Sequence, residues 1–211
     1  MYNTLSEAMP HRRRPGATGL ILSLDGAVYF VFHSYQSRDQ LASSSARAHI
    51  NITNEINKRN LGGNYKAPSI EADQQKWRDK VLPVAKMQAE AAGIQNDGRH
   101  AEEVMIESWD KCCVEYRRRR NGFPSIADVF LEFSPCRIDN HEPSPARPLA
   151  GRSYPVSCQD KLREFCNTGD RCGVKWRIYW DQAFQGLASN IVHGNMIIQQ
   201  RPSYMPDPKN F

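Results

Sequence analysis

No apolar run in this 211-residue sequence approaches the ~20 residues a helix needs to cross a bilayer, so a membrane-spanning helix is excluded as a reading. The stretch after Met1 is polar and then arginine-rich, without the apolar core of a secretory signal. The expected location is therefore cytoplasmic, either in the producing cell or after delivery into a target cell. No internal repeat is visible, which argues against a stacked-repeat architecture. Cysteine is present, six in all, but not in the pattern of a secreted disulfide scaffold. Cys112 and Cys113 are adjacent inside a helical pattern and Cys136 follows Pro135, which suits a reduced compartment with one metal site. Cys112, Cys113 and Cys166 then read as ordinary buried thiols.

What is present is globular: 40% hydrophobic and 24% charged residues, enough for one domain with a substantial core, expected to be a monomer. The net charge of +5 suits a polyanionic partner without demanding one. Two runs carry much of it, Arg12-Arg13-Arg14 and Arg117-Arg118-Arg119-Arg120. An isolated run of this kind is usually a solvated surface.

Along the chain, 20–24 and 27–32 read as a β-hairpin turning at Asp25-Gly26. Residues 37–98 change character and read as a helical insertion, with helices over 44–60 and 70–92 separated by Gly62-Gly63. Pro83 starts, kinks or splits the second. A helix from His100 to about Tyr116 is supported by the apolar face of Val104, Met105, Ile106, Trp109, Cys112 and Cys113. Residues 126–133 form a buried strand delivering Ser134-Pro135-Cys136 at its carboxyl end. Residues 137–157 form an insertion too rich in proline for regular structure, Ser157 caps a helix to Cys166, 174–180 is a strand, 181–190 a helix and 196–200 a last strand. Residues 201–211 read as an extended tail. The expected fold is a single α/β domain: a mixed five-stranded sheet with helices on both faces.

His100-Ala101-Glu102 followed by Ser134-Pro135-Cys136 carries the chemistry. It offers a metal ligand, a nearby carboxylate able to move a proton, and a thiolate ligand, in that order. A tetrahedral zinc site needs one more thiolate, its fourth position being water. The usual signature places that thiolate three residues after the first, but position 139 is Asp139. Cys158 is favoured instead, because Ser157-Cys158 opens a helix whose first amides stabilise a thiolate. Cys166, Cys172, Asp139 and His141 remain alternatives. His11, His33, His49 and His193 lack partners and read as surface or packing residues. Glu103 reads as a surface residue.

These residues, with Lys161, Leu162 and Phe165 after Cys158 and the 174–180 strand, resemble the cytidine-deaminase-like superfamily. The likeness is greatest to its nucleic-acid deaminases, which include the AID/APOBEC proteins and the deaminase domains of bacterial polymorphic toxins. The resemblance covers about 17–36 and 100–200; 37–99 matches nothing. It implies Zn2+ held by His100, Cys136 and Cys158, with Glu102 as the acid/base that protonates N3 of cytosine and helps ammonia leave, giving uracil. It further implies a base pocket of Ala101, Phe133, Ser134 (through its carbonyl), Pro135, Tyr179 and Trp180, and phosphate contacts from Arg117, Arg118, Arg119 and Arg120. The implied substrate is DNA, single strands favoured. RNA, a free nucleoside or adenine are the alternatives, and a non-catalytic zinc-stabilised nucleic-acid-binding module is the reading of a different class.

Overall fold

The computed structural model describes residues 18–93 and 98–205; His11, the Arg12-Arg13-Arg14 run and the last six residues of the tail lie outside them. Two compact units emerge, Met1–Tyr35 with Arg99–Phe211, and Gln36–Gly98.

The first unit is built on a mixed six-stranded sheet. Its strands are β1 (Gly19–Leu24), β2 (Val28–His33), β3 (Ile126–Phe133), β6 (Lys175–Gln182), β7 (Ile191–His193) and β8 (Met196–Gln200), in the order β2-β1-β3-β6-β8-β7. β3 pairs with β6, and β6 with β8, in parallel, each pair joined by the crossover connection that parallel strands need, while β1 pairs antiparallel with both β2 and β3. The α/β class is therefore as the sequence suggests, but with six strands rather than five. The sixth, β7, lies just beyond 181–190, and the helix expected over 181–190 does not form. β6 runs on to Gln182, and Gln185 and Gly186 then take positive φ (49° and 77°), which stops a right-handed helix from forming. Ile191–His193 next folds back antiparallel on β8 through the turn at Gly194, whose φ is 57°.

Among the described residues of this unit are two α-helices, the long Ala101–Arg120 and the short Cys158–Cys166. Both pack on one face of the sheet. Leu20, Leu22, Leu24, Ala127, Val129, Leu131, Trp176, Ile178, Trp180, Met196 and Ile198 alternate onto that face and share a core with Met105, Ile106, Trp109, Leu162 and Phe165. Trp109, Phe165 and Trp176 meet at its centre, with ring centroids 4.8–5.8 Å apart. The insertion at 137–157 is less irregular than its prolines suggest. β4 (Arg147–Leu149) and β5 (Arg152–Tyr154) form a separate hairpin over Ala150-Gly151, both with positive φ, the geometry a two-residue hairpin turn requires. Pro148 fits because a two-stranded ribbon leaves one side of each strand unpaired.

The second unit is helical, as expected: α1 (Arg38–Leu61), then α2 (Ile70–Lys76), a π-turn over Trp77–Val81, and α3 (Leu82–Ala91). In chain order the Ala101–Arg120 and Cys158–Cys166 helices are then α4 and α5. Ser37 and Gln40 form a reciprocal cap that starts α1 six residues earlier than the apolar pattern predicts. The π-turn sits immediately before Pro83, whose missing N–H would have broken an ordinary helical register there. No described helix is long and apolar enough to cross a membrane.

Asp25 locks the first hairpin to the rest of its unit. Asp25 and Gly26 both have positive φ, and the Asp25 carboxylate accepts hydrogen bonds from the Tyr116 hydroxyl and the Ser125 and Ile126 amides. Burial pushes this carboxyl up, but these bonds and the Arg120 charge outweigh it and hold it below its ordinary value. A carboxyl lowered by folding adds stability above the unfolded carboxyl range, near pH 4, and that stability is lost as the pH falls further. Asp25→Asn is expected to cost about 1–2 kcal/mol at neutral pH. Urea denaturation should show the gap from the parent protein narrowing as the pH falls below about 4; a gap of constant size would count against the assignment.

Candidate metal centre

β3, α4 and α5 converge at one end of the sheet, and each brings one donor. His100 is the N-cap of α4, with extended backbone (φ −74°, ψ 155°). Cys136 follows β3 across Ser134-Pro135, and Cys158 is the first residue of α5. His100 Nδ1 lies 3.6 Å from Cys136 Sγ and 3.4 Å from Cys158 Sγ, and the three donor atoms all fall within 4.8 Å of one another. A tetrahedral ion with nitrogen at about 2.0–2.1 Å and sulfur at about 2.3 Å puts those donors about 3.6 Å apart. The residues present therefore fit a metal ion, with Cys158 as the third donor. Among the described residues no fourth His, Cys, Asp or Glu joins the group, so one tetrahedral position is left for a small ligand.

The alternatives to Cys158 lie elsewhere. Asp139 is exposed and paired with Arg137, at 3.0 and 3.1 Å, and His141 is exposed. Cys166 is buried in the core and Cys172 is exposed. All six cysteines are free. Burial pushes the Cys112 and Cys113 thiols up to about 12, as inert core cysteines require.

The donors are polarised by their surroundings. Cys136 Sγ accepts from Cys158 N at 3.1 Å and Ser144 N at 3.2 Å. Hydrogen bonding from Cys158, and then from His100, overcomes burial and lowers the Cys136 thiol to about 4. Burial pushes Cys158 up, and the adjacent Cys136 thiolate adds to this, so the pair shares a proton unless a cation replaces it. Burial alone would lower His100; Cys136, Glu102 and Glu103 reverse that and raise it to about 9.

Glu102 is 7% exposed and lies on the first turn of α4, outside the donor group. Burial is the main cause that lifts its carboxyl to about 7, the Cys136 charge adding and the His100 charge opposing. A buried carboxyl next to a three-donor metal site is placed to accept and return a proton.

The other expected site residues divide. Ala101 is buried as the first residue of α4. Ser134 and Pro135 are buried beside Cys136. The Ser134 hydroxyl donates to Leu187 O and accepts from Phe184 N, both at 2.8 Å, and so anchors the turn after β6. Phe133 packs edge-on against Phe184 in that turn, with centroids 6.4 Å apart. Trp180 belongs to the core, its indole N–H donating to Ser189 O. Tyr179 points to the opposite face, stacked on Phe130, because successive strand residues alternate. Tyr179 is thus not brought to the His100 end of the core. Arg117, Arg118, Arg119 and Arg120 form the last turn of α4, about 25 Å along the helix from His100 at 1.5 Å per residue. Arg118 and Arg119 both clasp Glu115, and positive charge suits a helix carboxyl end.

Glu103 departs most from the sequence reading. It is fully buried rather than on the surface: Oε2 accepts from His100 N at 2.9 Å, and Oε1 accepts from Ser144 Oγ at 2.6 Å. Glu three residues after a helix cap is a capping-box spacing, and that was the available clue. Lys161 and Ser144, also fully buried, carried no comparable clue.

No family model, no curated protein and no solved structure matches the chain.

Proposed function

We propose that the protein is a zinc-dependent deaminase that converts cytosine to uracil in DNA, single strands favoured. One observation carries this reading: a His-Cys-Cys donor group that leaves one coordination position open, with a buried carboxylate beside it that is not a donor. A purely structural zinc site closes its coordination shell with four protein ligands and has no use for such a carboxylate. Two thiolates and an imidazole suit zinc among the common divalent ions.

Zinc, when bound, lowers the pKa of a water into the neutral range, which supplies the nucleophile that deamination needs. Glu102 would accept a proton from the attacking water and deliver it to N3 of the base. A second proton transfer through the same carboxylate lets the C4 amino group leave as ammonia, so cytosine and water become uracil and ammonia. In this reading the buried Ala101, Ser134 and Pro135, next in sequence to the donors, face the base, and the Phe133–Phe184 pair offers it aromatic surface. The α4 arginines act, in this reading, on phosphates distant from the target base, so removing their charge lowers affinity and its salt dependence rather than the chemical step.

The test is sequencing of DNA and RNA pools, single- and double-stranded in parallel, after incubation with the protein. C-to-T changes concentrated in single-stranded DNA are expected. Changes confined to RNA, or A-to-G changes, would replace the substrate assignment, and unchanged pools with a zinc-loaded protein would overturn the enzyme reading.

A further inference from the structure

Cys136 and Cys158 lie 22 residues apart, so no short local turn fixes their separation. Something else must hold one strand end and two helix starts together. We propose that Glu103, Ser144 and Lys161 form a buried strut that positions all three metal donors; this rests on the metal centre of the reading above.

Each donor is reached by a short path. Glu103 holds His100 by accepting its backbone N–H. Ser144 holds Cys136 by donating its own N–H to the sulfur at 3.2 Å. Its carbonyl holds the entry to Cys158, accepting from Ser157 N at 2.7 Å. Ser157 needs that hold because its φ is 77°, a conformation that non-glycine residues rarely adopt. The three paths meet at one place. Ser144 Oγ donates to Glu103, and Lys161 Nζ donates to Ser144 O (3.2 Å), Ser144 Oγ (3.0 Å) and Pro145 O (2.7 Å), lying 3.4 Å from Glu103 Oε1. Arg147, in β4 of the insertion, adds a second cation 3.1 Å from the same carboxylate oxygen. Glu103 comes from α4, Ser144 and Arg147 from the insertion, and Lys161 from α5.

A fully buried ion pair is a poor source of stability, since desolvation offsets most of the attraction. What a satisfied pair of this kind supplies is a single geometry, here at the backs of the ligands. Groups that orient metal ligands in this way typically account for 10–100-fold in metal affinity. The strut does what a short Cys-x-x-Cys spacing would otherwise do, and it permits the long insertion.

The test compares the full chain with Glu103→Gln, Lys161→Met, Ser144→Ala and the double variant Glu103→Met/Lys161→Met. Zinc affinity is read by chelator competition, the cobalt-substituted protein by its thiolate and ligand-field absorption, and folding by thermal denaturation. The single variants are expected to lose 10–100-fold in zinc affinity and to shift the cobalt spectrum. The double variant, which removes both fully buried charges, is expected to regain melting temperature relative to the single charge variants while its zinc affinity stays low. Recovery of affinity together with stability would overturn the proposal, leaving the pair a merely structural one. Ser144→Ala keeps both charges and decides the matter if the charge variants do not fold: about a tenfold loss supports the strut, and parental affinity overturns it. Zinc binding unaltered in every variant removes only the positioning role, whereas a parent chain that binds no zinc removes the metal-centre reading itself.

Discussion

Glu102→Gln is expected to keep zinc at the parental stoichiometry and to lose uracil formation by at least 10²–10⁴-fold, the range that positioned proton transfer contributes. The two halves of this result have separate causes. Zinc is retained because the donors are His100, Cys136 and Cys158, and Glu102 lies outside their group. Activity is lost because the amide cannot accept a proton from water and return it to the base. Cys136→Ala provides the contrast, since it removes a donor and is expected to lose zinc and activity together. The Gln variant should be no less stable than the parent, because burial makes the Glu102 charge costly and Gln fills nearly the same volume. Zinc content by elemental analysis, melting temperature and uracil yield on single-stranded DNA check the three parts. Parental uracil yield from a folded, zinc-loaded Gln variant would remove Glu102 from the mechanism.

Much of this arrangement was legible in the residues themselves. Asp25-Gly26 specified its hairpin because few dipeptides accept two consecutive positive φ values. His100 and Cys136 could be read together because each precedes or follows a strongly patterned element. Cys158 could be chosen over Cys166 and Cys172 from a capping argument alone, and Ser157 does accept from Asp160 N. The errors share a different cause. In 181–190, the expected helix was overridden by the continuation of β6 to Gln182 and by the turn at Gln185-Gly186 that leads into the β7–β8 hairpin. Ala150-Gly151 was hidden by surrounding prolines that a two-stranded ribbon tolerates. The burial of Glu103 and Lys161 is not legible, because charged residues are almost never fully buried unless paired, and their partners come from separate stretches of chain. Pairing of that kind is set by tertiary structure and leaves little trace in local pattern.

Cys158→Ala is expected to have the second large effect, on metal affinity and on the stability that metal confers. Structural zinc binding releases about 10–16 kcal/mol in small peptides, so three ligands sharing it are worth roughly 3–5 kcal/mol each, or about 10²–10⁴-fold in affinity. The alanine also removes the α5 amino-terminal thiol that sits 3.4 Å from His100 Nδ1, and a two-donor site has no means of selecting tetrahedral geometry. Cys166→Ala should instead cost only core packing, and Cys172→Ala, being at an exposed position, almost nothing; both should bind zinc as the parent does. Asp139→Ala breaks its pair with Arg137 and should likewise leave zinc affinity unchanged. The readout is the fall in melting temperature when a chelator is added. That fall should be large in the parent and in the Cys166, Cys172 and Asp139 variants, and absent in Cys158→Ala, which has already lost the metal. Parental zinc affinity in Cys158→Ala would move the third ligand elsewhere. The strut through Ser144 would then hold a helix start without a metal to serve, and the 22-residue separation between the two cysteines would lose its explanation.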